Sequence, residues 1–322
     1  MVPVAARSAG MKPIKSPFLL NVIEPRSTAE LKLELSSPNR RKQKATNLPD
    51  SPLSPDMSCC PPGSLGFLQS DYAHAGSCSS AGGTDIYAVG APSASGKALI
   101  IIPDIYGWNG GRVRSVADYF ASQGYYVVVP KLLVPCLREG TDGDGCPADI
   151  DFAKEFKPYM LKFPFETLKP KILDCMTHLQ VVGAERVGFI GFCWGGWTMC
   201  HAFSSDEVLS SAVQVVGGAI GHPSITGIEE IFGGSPIDLV GKVRRPLLLL
   251  PASNDTVEYD QSPAGSIFTA LAANNPLSAA TRYADMTHGW IPRGDVADER
   301  TRRDVAAALE EMRTYFANLF EA

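Results

Sequence analysis

Residues 188–197 read GFIGFCWGGW, an apolar run in which a cysteine lies between glycines. Within this stretch, Gly191, Cys193 and Gly195 have the G-x-nucleophile-x-G spacing of a sharp turn from a strand into a helix. On such a turn the middle residue has a strained backbone, and the small flanking residues let the strand and the helix approach without a Cβ clash. The spacing therefore favours Cys193 as a nucleophile, whereas the alternative is a small buried core residue.

Short β-branched runs alternate with amphipathic stretches from residue 83 onward. The patterns predict strands at residues 98–102, 125–129, 187–190, 212–216, 246–250 and 280–284. They predict helices at residues 111–123, 165–182, 195–204, 263–273 and 299–320. Strands that are apolar on both faces and alternate with helices indicate the α/β class, a mostly parallel sheet with helices on both faces. Sheets of this kind carry their chemistry at the carboxyl ends of the strands.

Three candidate catalytic residues, Cys193, Asp255 and His288, each follow a predicted strand. Their order along the chain is that of an α/β-hydrolase triad. In such a triad the histidine takes the proton of the nucleophile, and the carboxylate fixes the histidine tautomer. Taken singly, each residue could instead be a core, capping or turn residue, but the shared order favours a triad.

Other residues compete for the acid and the base. Glu258 and Asp260 are also close to the strand at 246–250, but Asp255 is separated from that strand by only a short turn. The remaining histidines, which do not follow a strand in the required order, are His74, His178, His201 and His222. The backbone N–H of Trp194, directly after the nucleophile, is predicted to point into the space where an oxyanion forms.

Five segments resemble the dienelactone hydrolase family of α/β-hydrolases. They are IIPDIYGWN (101–109), RVRSVADYFASQGYYVVVP (112–130), GFIGFCWGG (188–196), LLLLPASND (247–255) and THGWIPR (287–293). The resemblance covers residues 83–320, and it implies the α/β-hydrolase fold with Cys193, Asp255 and His288 as the triad. A further segment, MSCCPPGSLG (57–66), resembles the beginning of eukaryotic members. We therefore expect a hydrolase domain at 57–322 and a disordered N-terminal extension at 1–56.

The resemblance also implies roles for residues around the triad. Ile105 would supply the second N–H of the oxyanion hole, and Asp104 would lie near the nucleophile unless it is only a helix or turn cap. Arg293 would hold a carboxylate of the substrate. The alternative for Arg293 is a surface pair with Asp295 or Asp298.

The remaining parts of the expected pocket are an aromatic wall and an insertion. The aromatic residues that would form an apolar wall around the substrate are Tyr106, Trp108, Trp194 and Trp290. The insertion PCLREGTDGDGCP (135–147) follows no family pattern and is expected to shape the pocket mouth. Within it, Arg138 is a candidate for a second carboxylate-binding arginine.

The composition excludes several classes of protein. With a net charge of −5 and a pI near 5.6, the chain lacks the basic stripe that nucleic-acid binding requires. No apolar run approaches the roughly 20 residues that span a bilayer, so no membrane partner is expected. Eight cysteines in 322 residues are too sparse for a disulfide scaffold. We expect a cytoplasmic monomer or homodimer, with organelle import directed by residues 1–56 as the alternative.

Neither a metal nor an organic cofactor is predicted. Cys59, Cys60, His74 and Cys78 could collect a metal ion, but their spacing matches no established ligand pattern. The chemistry expected of Cys193 requires no cofactor.

The leading hypothesis is a hydrolase of small carboxylic esters or lactones that works through an acyl-thioester on Cys193. A water activated by His288 would then release the acid. One alternative is a non-catalytic protein of the same fold that binds small acids or senses oxidants through Cys193. Another is a glycan-active hydrolase, which requires two carboxylates flanking a sugar cleft, and the sequence offers no pair that can be placed.

Overall fold

The computed structural model describes residues 60–70, 72–91 and 96–322. Within these residues eight strands form one sheet in the order β1-β2-β4-β3-β5-β6-β7-β8. The strands are β1 (Ser77–Ala81), β2 (Thr84–Val89), β3 (Lys97–Ile102), β4 (Tyr126–Pro130), β5 (Arg186–Phe192), β6 (Gln214–Gly221), β7 (Leu247–Leu250) and β8 (Ala279–Ala280). The pairings of β2 with β1 and β4 are antiparallel, and all other pairings are parallel.

Helices cover both faces of this sheet. They are α1 (Val113–Ser122), α2 (Lys157–Met160), α3 (Phe165–Val181), α4 (Trp194–Ala202), α5 (Asp206–Leu209), α6 (Ile225–Ile231), α7 (Pro236–Val240), α8 (Ser266–Asn274), α9 (Trp290–Arg293) and α10 (Glu299–Glu321). Short 3₁₀ turns occur at Thr141–Gly143 and Val257–Tyr259, and a π-helical turn occurs at Phe152–Phe156.

Two apolar layers hold the central strands. Because side chains alternate along a strand, Ile100 and Ile102 of β3 pack with apolar residues of α3, α4 and α8. Leu99 and Ile101 face the other way and pack with residues of α1 and α10. Burial on both faces explains the continuous apolar runs of these strands, and it fixes the positions of the loops at their carboxyl ends.

The predicted strands and helices are confirmed except at the last strand. The strand expected at 280–284 is reduced to Ala279–Ala280, followed by a single bridge from Tyr283 to Ala252. Among the described residues this strand lies at the sheet edge with β7 as its one neighbour, and β7 itself ends at Leu250. Strands β1 and β2 were not predicted, and β1 gave no apolar signal because four of its five residues are exposed.

Some predictions concern residues that the structure does not describe. The disordered extension at 1–56 and the position of Cys59 lie outside the described residues and stay predictions. In the part of the chain that is described, no helix is both long enough and apolar enough to span a bilayer.

Candidate active site

The strand-to-helix turn predicted at Cys193 is present. Cys193 lies between β5 and α4 with φ 52° and ψ −116°, a strained conformation for a residue with a side chain. A Cβ at Gly191 would lie 2.8 Å from the carbonyl carbon of Gly195, and one at Gly195 would lie 2.4 Å from the carbonyl oxygen of Ile102. Glycine is therefore required at both positions, and the turn holds Cys193 at the carboxyl edge of the sheet.

The structure brings Asp255 and His288 together. Oδ1 of Asp255 lies 2.6 Å from Nδ1 of His288, and both side chains are buried. The second oxygen, Oδ2, accepts a hydrogen bond from the backbone N–H of Ala252 at 2.7 Å. The backbone N–H of His288 donates to Oδ1 of Asn254 at 2.8 Å. These bonds fix both side chains and leave Nε2 as the histidine nitrogen that faces the cysteine.

The competing carboxylates are engaged elsewhere. Asp260 forms an ion pair with Arg282 at 2.7 Å, and Oε1 of Glu258 accepts a hydrogen bond from Ser266 at 3.1 Å. The choice of Asp255 as the partner of the histidine is thus the one that agrees with the geometry.

Two further side chains, both missed by the sequence analysis, lie against Cys193. Oγ of Ser224 is 3.2 Å from Sγ of Cys193 and 3.5 Å from Nε2 of His288. Sγ of Cys60 is 3.8 Å from Sγ of Cys193. Ser224 follows β6 by three residues, so the rule that chemistry collects at carboxyl strand ends could have found it. No such signal exists for Cys60, which precedes the sheet in the chain.

Electrostatics around His288 favour an ion pair with Cys193. Burial lowers the pKa of His288, but the negative charge that Cys193 and Cys60 carry when ionised and the hydrogen bond to Asp255 outweigh burial. The pKa of His288 is therefore raised well above its usual value. The ring of His222 lies 4.7 Å from that of His288, and burial together with the charge of His288 holds the pKa of His222 well below its usual value. His288 is thus the cationic member of the two histidines.

Residues 60–68 cross the carboxyl edge of the sheet, and we call this segment the strap. The backbone N–H of Leu65 donates to the carbonyl oxygen of His288 at 2.9 Å. The N–H of Gly111 donates to the carbonyl oxygen of Leu68 at the same distance. The strap has no helix or strand of its own, and these bonds explain how it stays beside the carboxyl edge of the sheet.

Asp104 and Arg293 form a buried ion pair. Oδ2 of Asp104 contacts Nη1 of Arg293, and each side chain is only 1% exposed. Oδ1 of Asp104 accepts the N–H of Tyr106 at 2.9 Å, and Nε of Arg293 donates to the carbonyl oxygen of Leu65 at 3.1 Å. The surface pairing of Arg293 considered as its alternative is wrong, because its partner lies on the loop after β3. The positive charge of Arg293 is balanced inside the protein.

The two segments expected to form an oxyanion hole adjoin each other. Trp194 is the first residue of α4, and Ile105 lies buried on the loop after β3. The close approach of Gly195 to the carbonyl oxygen of Ile102 brings this loop against the start of α4. The role of the N–H groups of Trp194 and Ile105 stays a prediction that agrees with these positions.

Comparison with known proteins places the chain in a family. Residues 85–321 match the dienelactone hydrolase family. The chain belongs to this family. A carboxymethylenebutenolidase homolog of Rattus norvegicus is 26% identical over 209 residues, which are 64% of this chain and 76% of that protein. Hydrolase tropI of Talaromyces stipitatus is 23% identical over 272 residues, which are 81% of this chain and 96% of that protein.

The fold agrees with this membership. The crystal structure of a dienelactone hydrolase candidate from Klebsiella pneumoniae has a TM-score of 0.56 at 19% identity, and covers 73% of this chain and 92% of that chain. This likeness and the mostly parallel sheet confirm the α/β-hydrolase fold. Membership of the dienelactone hydrolase family, together with its hydrolase relatives, supports a hydrolase role.

The second arginine suggested by the family resemblance lies on the surface. The side chain of Arg138 is 44% exposed, and its Nη2 contacts Asp149 at 3.1 Å and Glu155 at 3.2 Å. Arg138 is thus engaged outside the buried cluster around Cys193.

The aromatic residues expected to form one wall are all buried, but in two separate layers. Tyr106 and Trp194 pack in the layer that contains α3, α4 and α8. Trp108 and Trp290 pack in the layer of α1 and α10, where Trp290 lies 4.5 Å from Tyr283 between ring centroids. The four aromatic side chains therefore do not pack together as one wall. Their contacts with substrate stay a prediction.

The insertion at 135–147 is bonded to the loop that follows β3. Its Asp144 is fully buried and accepts the backbone N–H groups of Trp108 at 2.8 Å and Leu133 at 2.7 Å. Burial raises the pKa of Asp144 to about 6, although the two hydrogen bonds favour the charged form. The N–H of Cys146 donates to the carbonyl oxygen of Ile105 at 2.8 Å. This part of the insertion therefore holds the loop that carries Ile105 and Trp108.

Of the residues weighed as a metal set, the three that the structure describes, Cys60, His74 and Cys78, do not form a potential metal-binding cluster. The ring of His74 lies 5.8 Å from that of Tyr87, and Cys78 is exposed on β1. Cys60 lies instead beside Cys193.

Proposed function

We propose that the protein hydrolyses small carboxylic esters or lactones. Cys193 is the nucleophile, His288 is the general acid and base, and Asp255 orients His288. The observation that carries the proposal is the buried hydrogen bond between Asp255 and His288 beside a cysteine on a strained turn. Sγ of Cys193 and a ring nitrogen of His288 lie within 4.8 Å of each other.

The reaction follows from the ion pair. The Cys193 thiolate attacks the carbonyl carbon, and the N–H groups of Trp194 and Ile105 stabilise the oxyanion. Protonated His288 gives its proton from Nε2 to the leaving alkoxide, which leaves an acyl-thioester and a neutral imidazole. His288 then takes a proton from water, the hydroxide attacks the thioester, and the thiolate leaves. Each cycle restores the thiolate and the imidazolium.

The direct test is to trap the acyl-enzyme. We expect small lactones, aryl esters and thioesters to be hydrolysed, and we expect mass spectrometry of quenched reactions to find the acyl group on the peptide that contains Cys193. An acyl group on Ser224 would show that Ser224, and not Cys193, is the nucleophile. If none of these substrates were turned over and none acylated the protein, the proposal would be overturned.

The pH profile should reflect the raised pKa of His288. The groups that face it are Cys193, Cys60, Asp255 and His222, and the first three favour its charged form. Because a raised pKa means that His288 keeps its proton above pH 6.5, we expect kcat/KM to persist through neutral pH and to fall on the alkaline side as the proton is lost.

On the acid side, protonation of the Cys193 thiolate should end turnover. Measuring kcat/KM against pH checks both limbs. An alkaline limb centred at the ordinary histidine pKa would contradict the ion pair.

The charge balance around Arg293 bears on whether the substrate carries a free carboxylate. The family resemblance favoured substrates with a free carboxylate, held by Arg293. In the structure Asp104 already neutralises that guanidinium in a buried pair. A second carboxylate would bring a net negative charge into a buried site, which is unfavourable. The site is therefore suited to neutral esters and lactones.

We expect the wild type to hydrolyse a neutral methyl ester of a lactone acid at least as efficiently as the free acid. Asp104→Asn should shift the kcat/KM ratio toward the charged substrate by about tenfold, the equivalent of about 1.4 kcal/mol, since it uncovers the charge of Arg293. Arg138→Ala is the matched control and should leave the ratio unchanged. If the wild type strongly preferred the free acid, Arg293 would instead be the residue that binds a carboxylate of the substrate.

Two alternatives remain distinguishable. A non-catalytic or oxidant-sensing protein would leave Cys193 without acylation by any ester. A glycan-active hydrolase needs two available carboxylates, but Asp104 is paired with Arg293 and Asp255 is bonded to His288.

A further inference from the structure

Three potential metal ligands meet at the active site. Sγ of Cys60, Sγ of Cys193 and a ring nitrogen of His288 all lie within 4.8 Å of one another. Since Nδ1 of His288 is bonded to Asp255, the nitrogen available to an ion is Nε2. Two thiolates and an imidazole are a ligand set that suits zinc.

The spacing of the sulfur atoms matches an ion between them. The two sulfurs of Cys60 and Cys193 are 3.8 Å apart. Two sulfur ligands of a tetrahedral zinc ion, each at about 2.3 Å from the metal, lie about 3.8 Å apart. A disulfide would require the sulfurs to approach to about 2.05 Å. The observed separation therefore needs little movement for an ion and a larger movement for a disulfide.

The surroundings of the cluster also suit a cation. Metal-bound histidines usually donate their other N–H to a carboxylate, and the Asp255–His288 bond has this arrangement. Two thiolate charges balance the charge of a divalent ion, so the complex is neutral and suits a buried site. Cys193 and His288 are fully buried, and Cys60 lies on the strap at the edge of the site.

We propose that Cys60, Cys193 and His288 form a zinc-binding site that inhibits the enzyme. The ion takes the nucleophile and the base together. Starting from the Cys193 thiolate, the His288 imidazolium and the Cys60 thiol, binding of one Zn²⁺ releases two protons, one from His288 and one from Cys60. Inhibition rests on the proposed hydrolase function, whereas binding of the ion does not.

Binding is tested with Co²⁺ as a spectroscopic probe, under anaerobic conditions. We expect thiolate-to-cobalt charge-transfer absorption that Zn²⁺ abolishes by displacement. Cys60→Ser and Cys193→Ala should each remove about half of this absorption, and Cys78→Ala, which changes an exposed cysteine on β1, should leave it unchanged. Absorption that is absent from the wild type, or that does not depend on Cys60, would overturn the site. This readout does not require turnover, so it separates failure of the site from failure of the proposed function.

Inhibition is tested with the same variants. Zn²⁺ should inhibit ester hydrolysis by the wild type, and EDTA should restore it. The sensitivity to zinc is compared with the zinc-free rate of each variant, because Cys60 also faces His288. Measured in this way, Cys60→Ser should need more than about 100-fold higher Zn²⁺ for half-inhibition, since changes to groups that only hydrogen-bond to a metal ligand already cost about 10–100-fold in affinity. If a phosphine reductant reversed the inhibition and EDTA did not, the inhibited form would contain a disulfide between Cys60 and Cys193 and not a bound metal ion.

Discussion

Replacing Cys193 with alanine is expected to lower kcat/KM for ester substrates by about 10⁶-fold, the loss that follows removal of the nucleophile of a hydrolase triad. In the proposed mechanism the thiol forms the covalent bond to the acyl group, and alanine on the strained turn offers no nucleophile in its place. The fold should survive, because the substitution removes a single sulfur from a fully buried residue. Steady-state kinetics and the thermal unfolding midpoint measure the two effects separately.

The matched control is Cys200→Ala. Cys200 lies on α4, the helix that begins directly after Cys193, and is also fully buried, so its substitution removes the same atoms without touching the cluster around Cys193. It should retain turnover. If Cys193→Ala kept turnover within tenfold of the wild type, the nucleophile would be misassigned. Loss of that residual activity on adding Ser224→Ala would then identify Ser224, whose Oγ is 3.5 Å from Nε2 of His288.

The second large effect is expected for Asp255→Asn, with a fall in kcat of about 10⁴-fold. An amide can present N–H to Nδ1 of His288 and so stabilise the wrong tautomer. The substitution also removes the carboxylate that hydrogen-bonds to His288 and supports its raised pKa, so the alkaline limb of the pH profile should move to lower pH. Turnover and its pH dependence are the measurements.

Asp260→Asn is the control for this change. Asp260 also follows β7, but its carboxylate pairs with Arg282 rather than with the histidine. The pair is partly exposed, so its loss should cost about 1 kcal/mol or less in stability and little in turnover. Equal losses of turnover in the two variants would show that Asp255 is not the residue that orients His288.

The sequence predicted the residues whose positions depend on the ends of buried strands. Cys193 and Asp255 follow β5 and β7, and continuous apolar runs make such strands easy to recognise. His288 lies beside Asp255 and Cys193, as the triad prediction requires, although the strand before it is short. Its position depends on hydrogen bonds to Asp255 and Asn254, which lie 33 and 34 residues earlier in the chain and bring it to the same edge of the sheet.

The rest of the candidate site depends on contacts between distant segments. Asp104 and Arg293 are 189 residues apart, and neither has a neighbour in sequence that signals their pairing. Cys60 reaches Cys193 only because the strap crosses the edge of the sheet. Asp144 lies in a polar, glycine-rich insertion whose composition is typical of an exposed loop, yet the residue is fully buried. Pairings of this kind are set by the tertiary fold.

The strap has a practical consequence for anyone who expresses a shortened form of the protein. Residues 60–68 contribute no strand or helix, so a chain trimmed beyond them would keep the whole sheet and should purify as a folded protein. It would nevertheless lose the backbone bonds to His288 and Arg293 that the strap provides. Good solubility and a normal circular dichroism spectrum would then accompany an inactive sample. A shortened chain therefore needs to start before Cys60.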